Sequence, residues 1–324
     1  MSLTEFSLID RFFAAQSAHR TDVAIGIGDD AAIVEVPPGE QLVVAVDTLV
    51  AGVHFPDSAA PADIGHKALA VNLSDLAAMG AHPRWATLAL TLPQADDDWV
   101  ADFARGFFAL SERFQIDLVG GDTTRGPLCV SVQILGTVPR GQALQRAGAR
   151  VGERIFVTGS LGDAGLALRL LQAQGTCGED ICAVLNTRLH RPEPRVMLGE
   201  HLRGLASAAI DVSDGLLADL GHILERSGVG ATVWVERVPR SPAFQSCVSA
   251  QAAEWFELPL AAGDDYELCF TVAPEYVDVL QICARELAVP ITAIGVIEAE
   301  PGLRCCLDDG RVFQPTRRGY EHFD

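Results

Sequence analysis

The feature that most constrains this chain is its division into two stretches, each of which mixes strand-like with helix-like segments. Residues 42–46, 85–92 and 128–138 are apolar runs typical of strands, and helical spacing marks residues 63–79 and 97–114. Residues 139–152 are rich in Gly and Arg and poor in large apolar side chains. A segment of this kind buries little surface, so it favours a domain boundary.

The second stretch continues the mixture without regular alternation. Strands are predicted at residues 154–158, 208–212, 268–272 and 291–297, and helices at 163–174 and 213–225. A chain of 324 residues is also long for a single core. We therefore predict a mixed α/β, α+β fold with two domains: an N-terminal α/β domain of residues 1–140 and a C-terminal α+β domain of residues 150–324.

Charge and composition exclude several classes of partner. The formal net charge of -19 repels nucleic acid and anionic membrane surfaces. No run approaches the about 18 apolar residues that span a bilayer, and no basic segment leads an apolar run at the start of the sequence. The eight cysteines include no CxxC pair, which favours reduced thiols. These features predict a cytoplasmic protein with no nucleic-acid or membrane partner.

Nucleotide binding through a Walker-type phosphate loop is also excluded. Lys67 is the single lysine of the chain, and Ala68 follows it, so no GxxxxGK[ST] motif is present.

The aspartates are concentrated where apolar runs end or Gly-rich turns begin. A lone Asp beside Gly is usually a turn residue, and the pair Ser213 and Asp214 fits two interpretations equally well: a helix N-cap followed by a first-turn acid, or part of a cation site. Turn chemistry alone does not account for so many of them. The residues at such places are Asp29, Asp30, Asp47, Asp122, Asp211, Asp214, Asp264 and Asp265.

Asp75 is the most informative of the aspartates. In a helix that begins near Asp63 as its N-cap, Asp75 shares an apolar face with Ala68 and Val71. A carboxylate on an apolar face costs several kcal/mol unless it is paired or bound to a metal. This position therefore indicates a cation site.

Hard oxygen ligands predict Mg²⁺, which proteins commonly share with substrate phosphates. Carboxylates and phosphates repel each other, and bridging Mg²⁺ ions remove the conflict while neutralising charge during phosphoryl transfer. The glycines near these aspartates would let the main chain approach the phosphates. They are Gly28, Gly120, Gly121 and Gly215.

Seven motifs in order, followed by a closing GYEHF, resemble the thiamine-monophosphate kinase family across almost the whole chain. The wider superfamily is that of aminoimidazole ribonucleotide synthetase, with selenophosphate synthetase and a hydrogenase-maturation protein. The motifs are GIGDDAA, VDTLVAGVHF, KALAVNLSDLAAMGA, GGDTTRGP, VTGSLGDAGLAL, DVSDGLLADLGHI and GDDYELCF.

The resemblance implies a homodimer in which N-terminal domains form a barrel-like interface, with ATP in a groove near it and the C-terminal domain completing the active site. It also implies roles for particular residues. The Mg²⁺ ligands would be Asp30, Asp47, Asp75, Asp122, Asp211 and Asp214. ATP would contact Gly121, Asp122, Arg146 and Ser213, and the thiamine phosphate would contact His54, Asp264 and Arg317.

Three positions depart from the family pattern. Asp264 stands where the family has Glu, so its shorter side chain would reach the substrate through water. Ala45 and Val46 replace Ser and Thr before Asp47, which leaves only main-chain carbonyls there for a metal. Arg317 occupies the place of an aromatic residue that stacks on the substrate.

The function implied is transfer of the γ-phosphate of ATP to thiamine monophosphate in one in-line step, assisted by several Mg²⁺ ions. No residue is assigned as a catalytic acid or base, because the attacking phosphate oxygen is already anionic. Two alternatives stay open: another ATP-dependent member of the superfamily, or a non-catalytic Mg²⁺ and nucleotide sensor. Selenophosphate synthetase is disfavoured because no Cys precedes Cys129, and the hydrogenase-maturation relative because the chain ends in His-Phe-Asp.

Overall fold

The computed structural model describes residues 5–16, 20–175 and 177–322. The chain divides into two compact units, which we call unit 1 (residues 1–76 and 81–141) and unit 2 (residues 77–80 and 142–324). Each unit combines a β-sheet with helices, so the predicted mixed α/β fold with two domains is confirmed.

Unit 1 is built on long strands and two long helices. Its helices are α1 (Glu5–Leu8), α2 (Pro61–Ala78, which runs into unit 2) and α3 (Asp97–Phe114), with a π-helical turn at Ile9–Phe13 and a 3₁₀ turn at Ala14–Gln16. Its strands are β1 (Val23–Ile25), β2 (Ile33–Val34), β3 (Glu40–Val50), β4 (His82–Leu92), β5 (Asp117–Arg125) and β6 (Cys129–Pro139).

Strands β3 to β6 form one open sheet with the order β3-β6-β4-β5, and β1 pairs with β2 in a separate two-stranded sheet. Strand β6 is antiparallel to both β3 and β4, whereas β4 and β5 are parallel. Strands β3 and β5 are therefore the two edges of the main sheet. Among the described residues no sheet closes into a barrel, so the barrel-like interface is not a property of the single chain.

Helices α2 and α3 arise from different patterns. Asp96 caps α3, where its side chain accepts hydrogen bonds from the backbone N–H groups of Asp98 and Trp99. Helix α2 begins at Pro61, so the predicted N-cap at Asp63 is wrong and that residue lies in the first turn. Nearly the whole circumference of α2 is buried, and Asp75 is half-buried on it.

Unit 2 contains the remaining helices and strands. The helices are α4 (Asp163–Gln172), α5 (Glu179–His190), α6 (Val196–His201), α7 (Leu216–Ser227), α8 (Pro242–Cys247), α9 (Glu254–Ala261) and α10 (Val277–Glu286), with 3₁₀ turns at Val235–Arg237 and Pro274–Tyr276. The strands are β7 (Arg154–Thr158), β8 (Ala206–Asp211), β9 (Gly230–Trp234), β10 (Leu268–Val272), β11 (Ile291–Glu298) and β12 (Gly302–Cys306).

These six strands form a mainly antiparallel sheet in the order β12-β9-β11-β7-β10-β8. The core of unit 2 lies between this sheet and α7, whose Leu216, Leu220 and Ile223 are fully buried against sheet residues such as Ile210 and Val233. Burial of this kind stabilises by about 25 cal/mol for each Å² of apolar surface removed from water. Strand β8 is an edge strand of this sheet, and Asp211 is its last residue.

Two cysteines differ from the expectation of reduced thiols. Cys177 and Cys182 form a disulfide across the start of α5, with Cα atoms 5.7 Å apart. Cys269 and Cys305 are buried thiols, as expected for this residue type.

No helix within the described parts of the chain is both long enough and apolar enough to cross a bilayer.

Candidate functional site

Three predicted site residues of unit 2, Asp211, Ser213 and Asp214, lie in one short segment, residues 211–215, which we call the nucleotide loop. Asp211 is the last residue of β8 and is only 4% exposed, whereas the side chains of Ser213 and Asp214 are half-buried. Helix α7 starts after this loop, at Leu216, with Gly215 as its N-cap. Ser213 is therefore not the helix N-cap, which removes one of the two interpretations of this motif.

Asp219, on the first turn of α7, holds the nucleotide loop by accepting hydrogen bonds from its backbone. One carboxylate oxygen, Oδ2, accepts the backbone N–H groups of Ser213, Asp214 and Gly215 at 3.0, 3.1 and 3.1 Å. Burial, together with the charges of Asp211 and Asp214, raises the pKa of Asp219 to about 7. Sequence reasoning missed this residue, although its position four residues after Gly215 in DGLLAD is a spacing that lets a helical Asp reach back to its own N-terminus.

The carbonyl groups of the same loop face two other segments. Tyr266 N donates to Val212 O at 2.8 Å, and Asp264 N donates to Ser213 O at 2.8 Å. Tyr320 N, in the C-terminal GYEH segment, donates to Asp214 O at 2.9 Å. The structure therefore joins the predicted ATP-binding loop to the two segments that carry the predicted substrate residues Asp264 and Arg317.

The segment around Asp264, residues 263–266, has an unusual backbone; we call it the substrate loop. Gly263, Asp264 and Tyr266 have φ angles of 72°, 64° and 49°, in the left-handed region. For a non-glycine residue this conformation costs on the order of 1–3 kcal/mol and persists only where surrounding structure imposes it. The hydrogen bonds of Asp264 N and Tyr266 N to the nucleotide loop are part of the structure that imposes this conformation.

A buried ion pair anchors the end of the substrate loop. Arg195 donates to both carboxylate oxygens of Glu267, from Nε at 2.6 Å and from Nη2 at 2.5 Å, and Thr158 Oγ1 donates to Oε2 at 2.5 Å. Glu267 is 2% exposed, so this bidentate pair is shielded from solvent. The hydrogen bond from Thr158 fixes the end of the substrate loop to strand β7. The family motif alone does not predict the ion pair between Arg195 and Glu267.

Asp265 lies beside this pair. Its Oδ1 accepts the backbone N–H of Gly162 at 2.9 Å. Burial raises the pKa of Asp265 well above its usual value, and the neighbouring Asp163, Glu267 and Asp264 act in the same direction. Burial thus disfavours the charged form of Asp265, and its hydrogen bond to Gly162 links two turns.

Arg146 and Arg317 are exposed, and both lie in segments fixed near the nucleotide loop. Gln145 O, next to Arg146, accepts the N–H of Ala209 on β8 at 3.0 Å, two residues before Asp211. Thr316 N, next to Arg317, donates to the Glu257 carboxylate at 2.9 Å. Both arginines are thus exposed residues carried by anchored backbone of unit 2.

Unit 1 separates two of its predicted metal ligands. Asp47 lies within β3 and Asp122 within β5, so the expectation that both close a strand is wrong. These strands are opposite edges of the sheet, three inter-strand steps or about 14 Å apart. The register also places Asp47 beside buried Val132, on the helix-covered face, and Asp122 beside exposed Ala89, on the opposite face.

Asp30 and Asp75 occupy different environments in the same unit. Asp30 is exposed in the turn between β1 and β2, where its backbone N–H donates to Asp29 Oδ1 at 2.8 Å. Asp75 is half-buried on α2, and its apolar neighbours are the reason that sequence singled it out. Among the described residues, no group of three or more His, Cys, Asp or Glu side chains stands ready to hold a metal ion.

His54 is held in one orientation in unit 1. Its Nδ1 accepts the backbone N–H of Val50 at 3.0 Å, which leaves the proton of the neutral ring on Nε2. Its carbonyl oxygen accepts from Lys67 Nζ at 3.2 Å. Lys67, the single lysine of the chain, is 2% exposed and supports the turn that carries His54.

Two of the predicted phosphate-approaching glycines are required by packing. A Cβ on Gly121 would lie 1.9 Å from Leu88 O, on the neighbouring strand, and the φ of Gly121 is 153°. A Cβ on Gly215 would lie 2.9 Å from Ala261 Cα, and the N–H of Gly215 is already bonded to Asp219. The N–H of Gly215 is therefore already in use, and the approach of its main chain to a phosphate stays a prediction.

Comparisons with known proteins identify the family of the chain. Residues 28–138 match the AIR synthase related protein N-terminal domain, and residues 150–307 match the corresponding C-terminal domain. The thiamine-monophosphate kinase of Salmonella typhimurium strain LT2 is 46% identical over 100% of this chain and 99% of that protein.

Two solved structures show the same fold. The thiamine-monophosphate kinase of Stenotrophomonas maltophilia K279a is 50% identical, with a TM-score of 0.88 over 97% of this chain and 99% of that chain. The complex of AaThiL with AMPPCP and TMP is 33% identical, with a TM-score of 0.78 over 100% of this chain and 99% of that chain. On this full-length similarity, the chain belongs to the thiamine-monophosphate kinase family, within the group defined by the AIR synthase related domains.

Proposed function

We propose that the protein transfers the γ-phosphate of ATP to thiamine monophosphate and releases thiamine diphosphate and ADP. The observation that carries this proposal is the full-length identity of 46–50% to two thiamine-monophosphate kinases. The complex of a 33% identical relative with AMPPCP and TMP supports the same pair of substrates. The hydrogen bonds between the nucleotide loop, the substrate loop and the C-terminal segment give the activity a physical basis in unit 2.

Mg²⁺ fits the donor groups present. Each predicted ligand is a carboxylate. Asp211 and Asp214 belong to the nucleotide loop, whose main-chain groups are already hydrogen-bonded. Mg²⁺ is usually held by one or two carboxylates, with waters and substrate phosphates completing its shell, so dispersed aspartates suit it better than a preformed cage. The ligands we propose are Asp30, Asp47, Asp75, Asp122, Asp211 and Asp214. When bound, Mg²⁺ supplies charge neutralisation between these carboxylates and the phosphates.

The residues of the chain then act by positioning. Gly121, Asp122, Arg146 and Ser213 would contact ATP, with the exposed Arg146 guanidinium reaching phosphate oxygens. His54, with Nε2–H as donor, and Asp264 would orient thiamine monophosphate, and Arg317 would lie at its edge. A phosphate oxygen of thiamine monophosphate attacks the γ-phosphorus in line, and the bond to the β–γ bridging oxygen breaks. No general base is required, because the attacking oxygen is anionic.

We further propose a homodimer formed through unit 1. Strand β3 is an edge strand of eleven residues whose outer face exposes Leu42, Val44 and Val46 at 44, 50 and 61%. Long apolar edge strands are usually covered, because they otherwise promote aggregation. A second copy would supply four more strands, and eight strands suffice to close a barrel filled by side chains. Unit 1 would thus serve both dimerisation and ATP–Mg²⁺ binding, while unit 2 completes the active site. The cytoplasmic location stays a prediction.

The direct test is to incubate the purified protein with ATP, MgCl₂ and thiamine monophosphate, and to follow thiamine diphosphate and ADP by chromatography. We expect equimolar formation of both products, abolished by EDTA and restored by excess Mg²⁺. ATP consumption without thiamine diphosphate would indicate another activity of the superfamily. Binding of ATP without any turnover would indicate a sensor, and either result would reject the proposed reaction.

A further inference from the structure

The nucleotide loop is bonded on both sides of its backbone. On one side, three consecutive N–H groups of residues 213–215 point to a single oxygen of Asp219. On the other side, the carbonyls of residues 212–214 accept N–H groups from Tyr266, Asp264 and Tyr320. The backbone groups of this turn are therefore already in use, which leaves the half-buried side chains of Ser213 and Asp214 to contact a ligand.

Asp219 is buried within this arrangement. It is 3% exposed, and it lies on α7 among the fully buried Leu216 and Leu220. A buried N–H that loses its acceptor costs about 1–3 kcal/mol; the N–H of Gly215 is buried and those of Ser213 and Asp214 are partly buried, so loss of Asp219 would destabilise all three in their present orientation. The peptide units would rotate toward water or toward a phosphate, and the carbonyls that position residues 264 and 320 would rotate with them.

We propose that Asp219 is a positioning residue for phosphoryl transfer, which holds the nucleotide loop, and through it the substrate loop, in the geometry that binds both substrates. It touches neither the metal nor the substrates in this role. The proposal rests on the proposed kinase activity and adds to it a residue outside the set of predicted ligands. Its essential element is the place of one oxygen atom rather than the charge of the carboxylate.

Two conservative substitutions separate position from charge. Asp219→Asn keeps a carbonyl oxygen at the site of Oδ2 and removes the charge. Asp219→Glu keeps the charge and displaces the carboxylate by one methylene group. We expect the Asn variant to retain kcat and both Michaelis constants within about threefold of wild type, and the Glu variant to lose at least about tenfold in kcat/KM for both ATP and thiamine monophosphate.

A matched control comes from the same unit. Glu153 is also 3% exposed and accepts the N–H of Arg150 and the hydroxyl of Ser207, neither of which is a predicted site residue. Glu153→Gln should lower the melting temperature while leaving kcat/KM unchanged for both substrates. It thereby measures what loss of a buried carboxylate does through stability alone.

All kinetics are measured at least 15 °C below each melting temperature, with the stabilisation by Mg²⁺ and ATP recorded in parallel. The proposal is overturned if the Glu variant matches wild type, or if the Asn variant is impaired as severely as the Glu variant. If wild type forms no thiamine diphosphate, the proposed reaction fails, but the ligand-induced stabilisation of the two variants still ranks position against charge. The two failures are thus distinguishable.

Discussion

Asp22 shows how one side chain joins several segments of unit 1. Its carboxylate accepts hydrogen bonds from Arg20 Nε at 2.9 Å, Arg84 Nη1 at 3.1 Å and the Trp85 indole at 3.1 Å. The hydrogen bonds from Arg20 are the main reason that the pKa of Asp22 is lowered, and Trp85 and Arg84 add to the effect. Since the native pKa is the lower one, the stabilisation is fully present above the unfolded pKa of about 3.9 and is lost as the pH falls through the native value.

Asp22→Asn should therefore lower the free energy of unfolding at pH 7 by about 1–3 kcal/mol, because charge-assisted hydrogen bonds to two arginines are weakened. The deficit should shrink as the pH falls below about 4, where wild type loses the same contribution. Urea unfolding followed by tryptophan fluorescence at several pH values measures both effects. Asp102→Asn, which removes an exposed pair with Arg105, is the control and should change stability by less than about 0.5 kcal/mol. An equal, pH-independent loss in both variants would contradict the argument.

At the scale of elements, strand β3 stands out because one of its two faces is largely exposed. Its inward residues pair with a buried row on β6, whereas Val44 and Val46 on the other face are half or more exposed. We expect Val46→Glu, alone or with Val44→Glu, to convert a dimer into monomers, because two buried like charges would face each other across a symmetric interface. Size-exclusion chromatography with light scattering gives the mass. Val312→Glu replaces a valine of similar exposure, 63%, in unit 2 and should leave the mass unchanged. A monomeric wild type, or a dimeric Val44→Glu/Val46→Glu variant, would reject this interface.

The elements that sequence predicted well are those with long local signals. The bounds of α3 (Asp97–Phe114), β7 (Arg154–Thr158) and β10 (Leu268–Val272) were predicted to the residue, because a cap or a continuous apolar run marks each end. Strand β5 was not predicted, since Gly120 and Gly121 in its middle are typical of a turn, and the contact with Leu88 on β4 that explains Gly121 is not visible in the sequence. Similarly, the site loops meet through hydrogen bonds between residues about 50 to 100 positions apart, such as Asp264 with Ser213, which no local pattern reveals.

At the scale of the molecule, the net charge of -19 means that an anionic ligand should bind together with cations. Phosphates that approach Asp211, Asp214 and Asp264 without a cation meet like charges, so ATP alone should stabilise the fold little. With Mg²⁺ present, ATP at about 100 times its Kd should add about 2.7 kcal/mol to the free energy of unfolding. Melting curves with ATP, with MgCl₂ and with both test this expectation.

The same curves with Asp214→Asn should show a smaller gain from the combination of Mg²⁺ and ATP, because one proposed ligand of the metal is neutral. Asp309→Asn, on an exposed turn, provides a control of equal charge change. Equal stabilisation by ATP in EDTA and in MgCl₂ would refute the electrostatic account of this site.

The burial of Lys67 has a practical consequence for following motion in solution. Lys67 carries the only lysine ε-amino group in the sequence, so acylation of a lysine can occur only at this site, beside the turn that carries His54. With 2% of the residue exposed, its acylation requires that this turn open. The rate at which acetyl groups accumulate there, read by mass spectrometry, would therefore report the opening of a single segment, and ligands that close the turn would slow it.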